Sequence, residues 1–141
     1  MNEYMLFVQN HSLLVMGFVG VLGLIIWTEF NRMTRKHQQA DVTQAVRLMN
    51  NDDSVVLDVR EDNEVRDGKI QGAKHIPLGQ LDKRIAELEK SKDKPILVYC
   101  RSGNRSSHAC ATLTKNGFAN VTNLAGGFMA WQSANLPVVK R

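Results

Sequence analysis

The feature of this sequence that most directly suggests chemistry is a cysteine at the end of an apolar run, followed at once by a polar loop. Ile96 to Ser107 reads ILVYCRSGNRSS, with Cys100 at the junction. The apolar residues predict a buried strand, and Arg105 to Asn116 predicts a helix with Gly117 just past its end. Strand, tight loop and helix N-terminus in that order build an anion cradle. The loop amides turn inward, and the helix dipole adds partial positive charge. Ser102, Gly103 and Asn104 are loop formers, and Gly103 tolerates positive φ. Arg101 and Arg105 bring two full positive charges. A free thiol has a pKa of about 8.5, which helix N-termini and nearby cations lower. Cys100 is therefore expected to be a nucleophile that attacks an anionic, sulfur-bearing substrate. Without the loop behind it, the same residue reads as an ordinary core cysteine.

The other cysteine differs. Cys110 falls mid-helix beside Ala109 and Leu113, and reads as a small core residue rather than a resolving thiol. Two cysteines are too few for a disulfide scaffold. They are expected to be free thiols in a reducing compartment. His11, His37, His75 and His108 show no spacing with Cys, Asp or Glu that makes a metal site, so no metal or other cofactor is expected. The net charge of +4 comes from scattered basic residues with no basic stripe, which argues against a nucleic-acid partner.

Around Cys100, short apolar runs alternate with helical patterns. Thr43 is expected to cap a helix that shows Val46 and Met49 on one face. Ser54 to Val59 reads as a strand buried on both faces. Asp62 to Lys74 is polar, contains Gly68 and Gly72, and reads as loop. His75 and Ile76 fit a short extended piece before Pro77. Leu81 to Lys90 has helical spacing, Val121 to Leu124 is a third short strand, and Gly126 to Ala134 fits a short final helix. This alternation predicts an α/β domain over residues 41–141, with a mainly parallel sheet flanked by helices.

The first thirty residues are different material. From Tyr4 to Thr28 there is no charged side chain. As one helix that run is about 37 Å long, against a hydrocarbon core of about 30 Å. Tyr4, Phe7 and Trp27 lie near its ends, where interfacial aromatics belong. The run is apolar all round, unlike a core helix. It lacks the positive n-region and cleavage site of a signal peptide. Residues 1–30 are therefore expected to be a transmembrane anchor spanning about residues 6–28, with residues 31–40 as a polar linker. Glu3 precedes the run, and Arg32, Arg35 and Lys36 follow it, so the C-terminal domain is expected on the cytoplasmic side. Gly17, Gly20 and Gly23 do not make a GxxxG helix-pairing motif.

Four segments together carry a family resemblance. CRSGNRS resembles the active-site loop of single-domain rhodaneses, which are sulfurtransferases. LDVRE at Leu57 to Glu61, GKIQGAKHIPL at Gly68 to Leu78 and LAGGFMAW at Leu124 to Trp131 resemble three further segments of that family, in the same order and spacing. With its apolar N-terminus the chain resembles membrane-anchored bacterial rhodaneses. Lys69, His75 and Val65 depart from the family pattern, all outside the loop. The resemblance implies a rhodanese-like domain and a persulfide on Cys100, formed from thiosulfate or a persulfide donor. An acceptor thiol or protein, or cyanide in an assay, would then take the sulfur. It implies that the backbone amides from Arg101 through Ser102, Gly103, Asn104 and Arg105 to Ser106 hold the persulfide. Arg101 and Arg105 would orient the anion. Asp58 and Arg60 would be structural partners near the site, and Gly126, Gly127 and Trp131 would pack the C-terminal end. It implies a place at the bacterial inner membrane, with membrane lipid and membrane proteins as neighbours.

Two rivals compete. One is an adaptor that binds membrane proteins, although a module of that kind has no need to keep the cysteine. The other is a cysteine-dependent phosphatase or arsenate reductase. The phosphatase pattern wants His before the cysteine and Arg six residues after it, where this sequence has Tyr99 and Ser106.

Overall fold

A computed structural model describes residues 1–33, 37–51 and 53–140. The chain divides into two compact units, Met1–Arg35 and Lys36–Arg141.

The first unit is helical but not one helix. Helix α1 (Asn2–Asn10) ends at His11, and α2 runs from Ser12 to Met33. The sequence gives no warning of this break, since neither Gly nor Pro stands there. Within α2, Ser12–Phe30 is 19 residues long and apolar enough to cross a membrane by length and composition. At 1.5 Å per residue it reaches about 28 Å. Tyr4 and Phe7, expected near the end of the apolar run, fall on α1. The helix leaves large apolar side chains open, such as Leu14 at 72% and Ile26 at 61% exposure. Arg35 and Lys36, on which the orientation expectation partly rests, lie outside the described residues.

The second unit is built on a five-stranded parallel sheet. Its strands are β1 (Gln38–Ala40), β2 (Val55–Asp58), β4 (Lys74–His75), β5 (Ile96–Tyr99) and β6 (Val121–Leu124), in the order β1-β6-β5-β2-β4. Strand β5 is central, and all four of its residues are buried. Alternate residues feed two cores. Ile96, Val98 and Cys100 join Leu57, Val59, Ala109, Cys110 and Leu113 on one face. Leu97 and Tyr99 join Val56, Ala45, Leu124, Phe128 and Trp131 on the other. Helix α6 (Asn104–Lys115) covers the first face, and α3 (Val42–Met49) and α7 (Gly127–Ser133) cover the second. Burial on both faces explains why these strands read as unbroken apolar runs.

Several expectations need correction. The linker is not wholly a linker, because Gln38–Ala40 forms edge strand β1, paired in register with Thr122–Leu124. Asp41, not Thr43, caps α3: its carboxylate accepts from Gln44 N–H at 2.7 Å, and Gln44 Oε1 accepts from Asp41 N–H at 3.0 Å. The expected loop from Asp62 to Lys74 holds a short helix, α4 (Asp62–Arg66), and a strand, β3 (Lys69–Ile70), before β4 begins at Lys74. Strand β3 pairs antiparallel with β7 (Val138–Val139). The helical stretch from Leu81 begins as α5 (Leu81–Arg84) and tightens to a 3₁₀ helix over Ile85–Ser91.

Candidate active site

Ligand sites in parallel α/β sheets form at the carboxyl ends of the strands. Cys100 stands there, one residue past the central strand β5. The chain then turns through Arg101 and Ser102 to Gly103, whose φ of 107° is left-handed and open to glycine. That turn aims the Gly103 N–H back at the sulfur, and it donates to Cys100 Sγ at 3.0 Å. The first turn of α6 brings the Ser106 hydroxyl to 3.4 Å from the sulfur. Burial alone would push the Cys100 thiol up. Hydrogen bonds from the Ser106 hydroxyl and from the backbone N–H groups of Ser106, Gly103 and Ser102 outweigh it, and the thiol lies below its ordinary value. The sulfur is thus met mainly by backbone amides and one serine. Ser102 and Asn104 expose their side chains, and Ser102 contributes through its backbone N–H, whereas Ser106 is fully buried.

The far side of the loop is pinned by α7. Phe128 N–H donates to the Cys100 carbonyl at 2.7 Å, and Met129 N–H to the Arg101 carbonyl at 3.1 Å. This contact brings Gly127 against the backbone of Cys100 itself. A Cβ there would lie 2.4 Å from the Cys100 carbonyl oxygen. The Gly126-Gly127 pair thus serves the loop itself, a closer role than packing the C-terminal end.

The two arginines part company. Arg101, next to Cys100 in the chain, is exposed. Arg105 makes a two-pronged pair with Glu64 of α4, at 2.7 and 2.8 Å. Nothing near Cys100 in the sequence marks Glu64 as its partner, because the two residues stand 41 positions apart. Hydrogen bonding from Arg105 outweighs burial and holds the Glu64 carboxyl at about 2, against an ordinary 4.5. A carboxylate whose pKa is lower in the folded state stabilises the fold fully above its unfolded pKa, and that stability is lost as pH falls through its folded pKa. Chemical denaturation should therefore show wild type losing more stability than Glu64→Gln between pH 5 and pH 2.

Asp58 and Arg60 meet on the opposite sheet face from Cys100. Arg60 Nε and Nη2 donate to Asp58 at 3.0 and 2.8 Å, and Nη2 also donates to the Gly68 carbonyl at 2.8 Å. Tyr99 Oη donates to Asp58 at 2.6 Å. The guanidinium lies 4.1 Å from the centre of the Phe128 ring. Asp58 and Arg60 are buried, and their charged atoms are engaged with each other, Tyr99 and the Gly68 carbonyl. The cluster fastens β2, β5 and α7 together behind the loop. Asp58→Asn should cost about 3–5 kcal/mol in denaturant titrations, because it strands a buried guanidinium.

Cys110 is fully buried, and burial, with the charge of Cys100 second, pushes its thiol up to about 12. Both cysteines are free. The described residues contain no cluster of His, Cys, Asp and Glu able to hold a metal ion. A buried polar residue that the sequence reading passed over is Asn123 of β6, 3% exposed. It touches Gly103, Ser106, Ser107 and Gln39. Its only signal is a polar side chain in an otherwise buried strand.

Fold and site together make a parallel α/β domain that holds one cysteine, its thiol below the ordinary value, in an amide-lined loop. Residues 41–134 match the model of the rhodanese-like domain, and the chain belongs to that family. It is 36% identical over 141 residues to YibN of Escherichia coli (strain K12), a protein described as uncharacterized, covering 99% of both chains. It is 39% identical over 93 residues to a sulfurtransferase of Allochromatium vinosum, covering 66% of this chain and 85% of that one. The crystal structure of a rhodanese-related protein from Thermoplasma volcanium superposes with a TM-score of 0.68 at 30% identity, covering 74% of this chain and all of the other. Family and relatives together support sulfurtransferase-type chemistry at the level of the family.

Proposed function

We propose that this protein moves sulfane sulfur from thiosulfate or a persulfide donor to a thiophilic acceptor through a persulfide on Cys100. The observation that carries the reading is the sulfur itself, set at the end of the central strand and met by Gly103 N–H at 3.0 Å, with Ser106 beside it. The Cys100 thiolate attacks the outer sulfur of thiosulfate. A new S–S bond forms, the old one breaks, and sulfite leaves with its electron pair. An acceptor thiolate then attacks the outer sulfur, takes it, and returns Cys100 as thiolate, so no external oxidant or reductant is needed. The amides of Ser102, Gly103 and Ser106 hold the negative sulfur. Arg101 draws in the anion, and Arg105, fixed by Glu64, braces the loop. Asp58 and Arg60 frame the site without touching substrate.

The exposed apolar stretch Ser12–Phe30 supports a single-pass anchor. The positive flank at Arg32, Arg35 and Lys36 supports a catalytic domain at the cytoplasmic face of a bacterial inner membrane. Membrane lipid, and membrane proteins as sulfur donors or acceptors, are then its neighbours.

The test is turnover by the full chain in detergent. Thiocyanate should form from thiosulfate and cyanide, with no release of phosphate from aryl phosphates. Phosphate release without thiocyanate would reverse the assignment.

A further inference from the structure

Asn123 is polar, almost wholly buried, and wired into both sides of the nucleophile's loop. Its amide nitrogen lies 3.2 Å from the Gly103 carbonyl, which can only accept, so the nitrogen must face that way. The same nitrogen reaches Gln39 Oε1 at 3.0 Å, across the β1–β6 register, and Ser107 Oγ at 3.2 Å. Oδ1 is left facing Ser106 Oγ at 2.5 Å, and Ser106 Oγ in turn lies 3.4 Å from Cys100 Sγ.

The proton count then matters. Ser106 carries one hydroxyl proton, and Asn123 Oδ1 carries none. While the thiol is neutral the short contact draws that proton toward Asn123, and the hydroxyl donates to the sulfur only once Cys100 ionises. The neutral thiol can then donate its own S–H to Ser106 Oγ. When Cys100 ionises, the S–H bond breaks, the proton goes to solvent and the electron pair stays on sulfur. For Ser106 to support the thiolate, its O–H must turn toward sulfur, and Asn123 Oδ1 loses its donor inside the protein. Ionisation therefore works against a buried hydrogen bond.

Resting on the assignment of Cys100 as the sulfur carrier, we propose that Asn123 is a positioning residue that competes with the Cys100 sulfur for the Ser106 proton while its amide holds the Gly103 turn in place. The competition has a use. A thiolate loses intrinsic nucleophilicity as its pKa falls, and the best attacking thiol has a pKa near the ambient pH. The loop amides alone would carry the thiol down, and Asn123 limits how far. The other charged or titratable groups coupled to Cys100 are Arg105, with its partner Glu64, and Cys110. Arg101 adjoins it in the chain, and the Asp58–Arg60–Tyr99 cluster occupies the opposite face. The substitutions below leave all of these intact.

The test is the pH dependence of iodoacetamide alkylation at Cys100, read by mass spectrometry on the full chain in detergent, with buried Cys110 as internal control. Asn123→Leu removes the competing acceptor and should lower the alkylation midpoint by about one pH unit, the worth of one hydrogen bond to a charged group. Asn123→Asp keeps the acceptor, adds negative charge, and should raise the midpoint. In a Ser106→Ala background, Asn123→Leu should have no further effect. If Asn123 merely braces the loop, both single substitutions slacken it and both raise the midpoint, which overturns the proposal. Should Asn123→Leu fail to fold by circular dichroism, Asn123→Ala carries the same expected sign and the same overturning result. The wild-type midpoint is read separately. A value at or above about 8.5, that of a free thiol, defeats the nucleophile assignment itself. A lower value with parallel shifts in the variants defeats only the role of Asn123.

Discussion

Cys100→Ser should fold as wild type does and lose sulfur transfer altogether. The substitution exchanges one second-row atom for a first-row one of similar shape, at a position 1% exposed, and leaves the loop amides in place. A serine hydroxyl in that cradle ionises far less readily than a thiol and cannot form a persulfide. Turnover of thiosulfate with cyanide should fall by about a thousandfold or more, as expected for loss of a nucleophile. The melting temperature should move little. That split separates catalysis from the adaptor reading, since a binding surface would survive the exchange. Cys110→Ser provides the contrast: its thiol is pushed up to about 12 and has no part in the chemistry, so turnover per folded molecule should be retained.

Gly127→Ala, although outside the loop, should damage both stability and activity. Its φ of 57° alone would cost an alanine about 1 kcal/mol. The larger problem is space, because the new Cβ would stand 2.4 Å from the Cys100 carbonyl oxygen and 2.6 Å from the Arg101 carbonyl carbon. Both neighbours are backbone and cannot swing aside. Either α7 retreats, breaking the Phe128 and Met129 hydrogen bonds to the loop, or the loop itself moves. We expect a loss of about 3 kcal/mol or more in stability. Activity of the folded fraction should drop by about a hundredfold, as for displacement of a reacting group by 1 Å. Denaturant titration and turnover measured on the same sample check both.

Much of this was legible in the sequence because the physics was local. Strand β5, the Gly103 turn and α6 follow each other without interruption, so an apolar run and a polar glycine loop were enough to locate the nucleophile. What escaped was either short or tertiary. Strand β1 is three residues long with two of them exposed, and Gln38 and Gln39 carry no strand pattern. Helix α4 has five residues, four of them charged or amide, and only Val65 is buried. Its one signal was the spacing of Glu61 and Glu64, whose side chain accepts from Glu61 N–H at 2.9 Å. The pairing of Arg105 with Glu64 exists only because the fold brings α4 against α6, and no local pattern encodes it. The positive charge of Arg105 was legible, but not that a carboxylate already holds it. Likewise the Gly-Gly turn read as a packing element, and its approach to the nucleophile's carbonyl emerged only with α7 in place.

The central claim is that sulfur passes through Cys100, and the most direct measurement is the mass of the protein itself. Full-length protein, incubated with thiosulfate and then freed of it without a thiol reductant, should gain about 32 Da, one sulfur atom. Peptide mapping should place the gain on the fragment containing Cys100, and cyanide should remove it as thiocyanate. Absence of the adduct in wild type, or its appearance on Cys110 with Cys100 unmodified, would contradict the assignment.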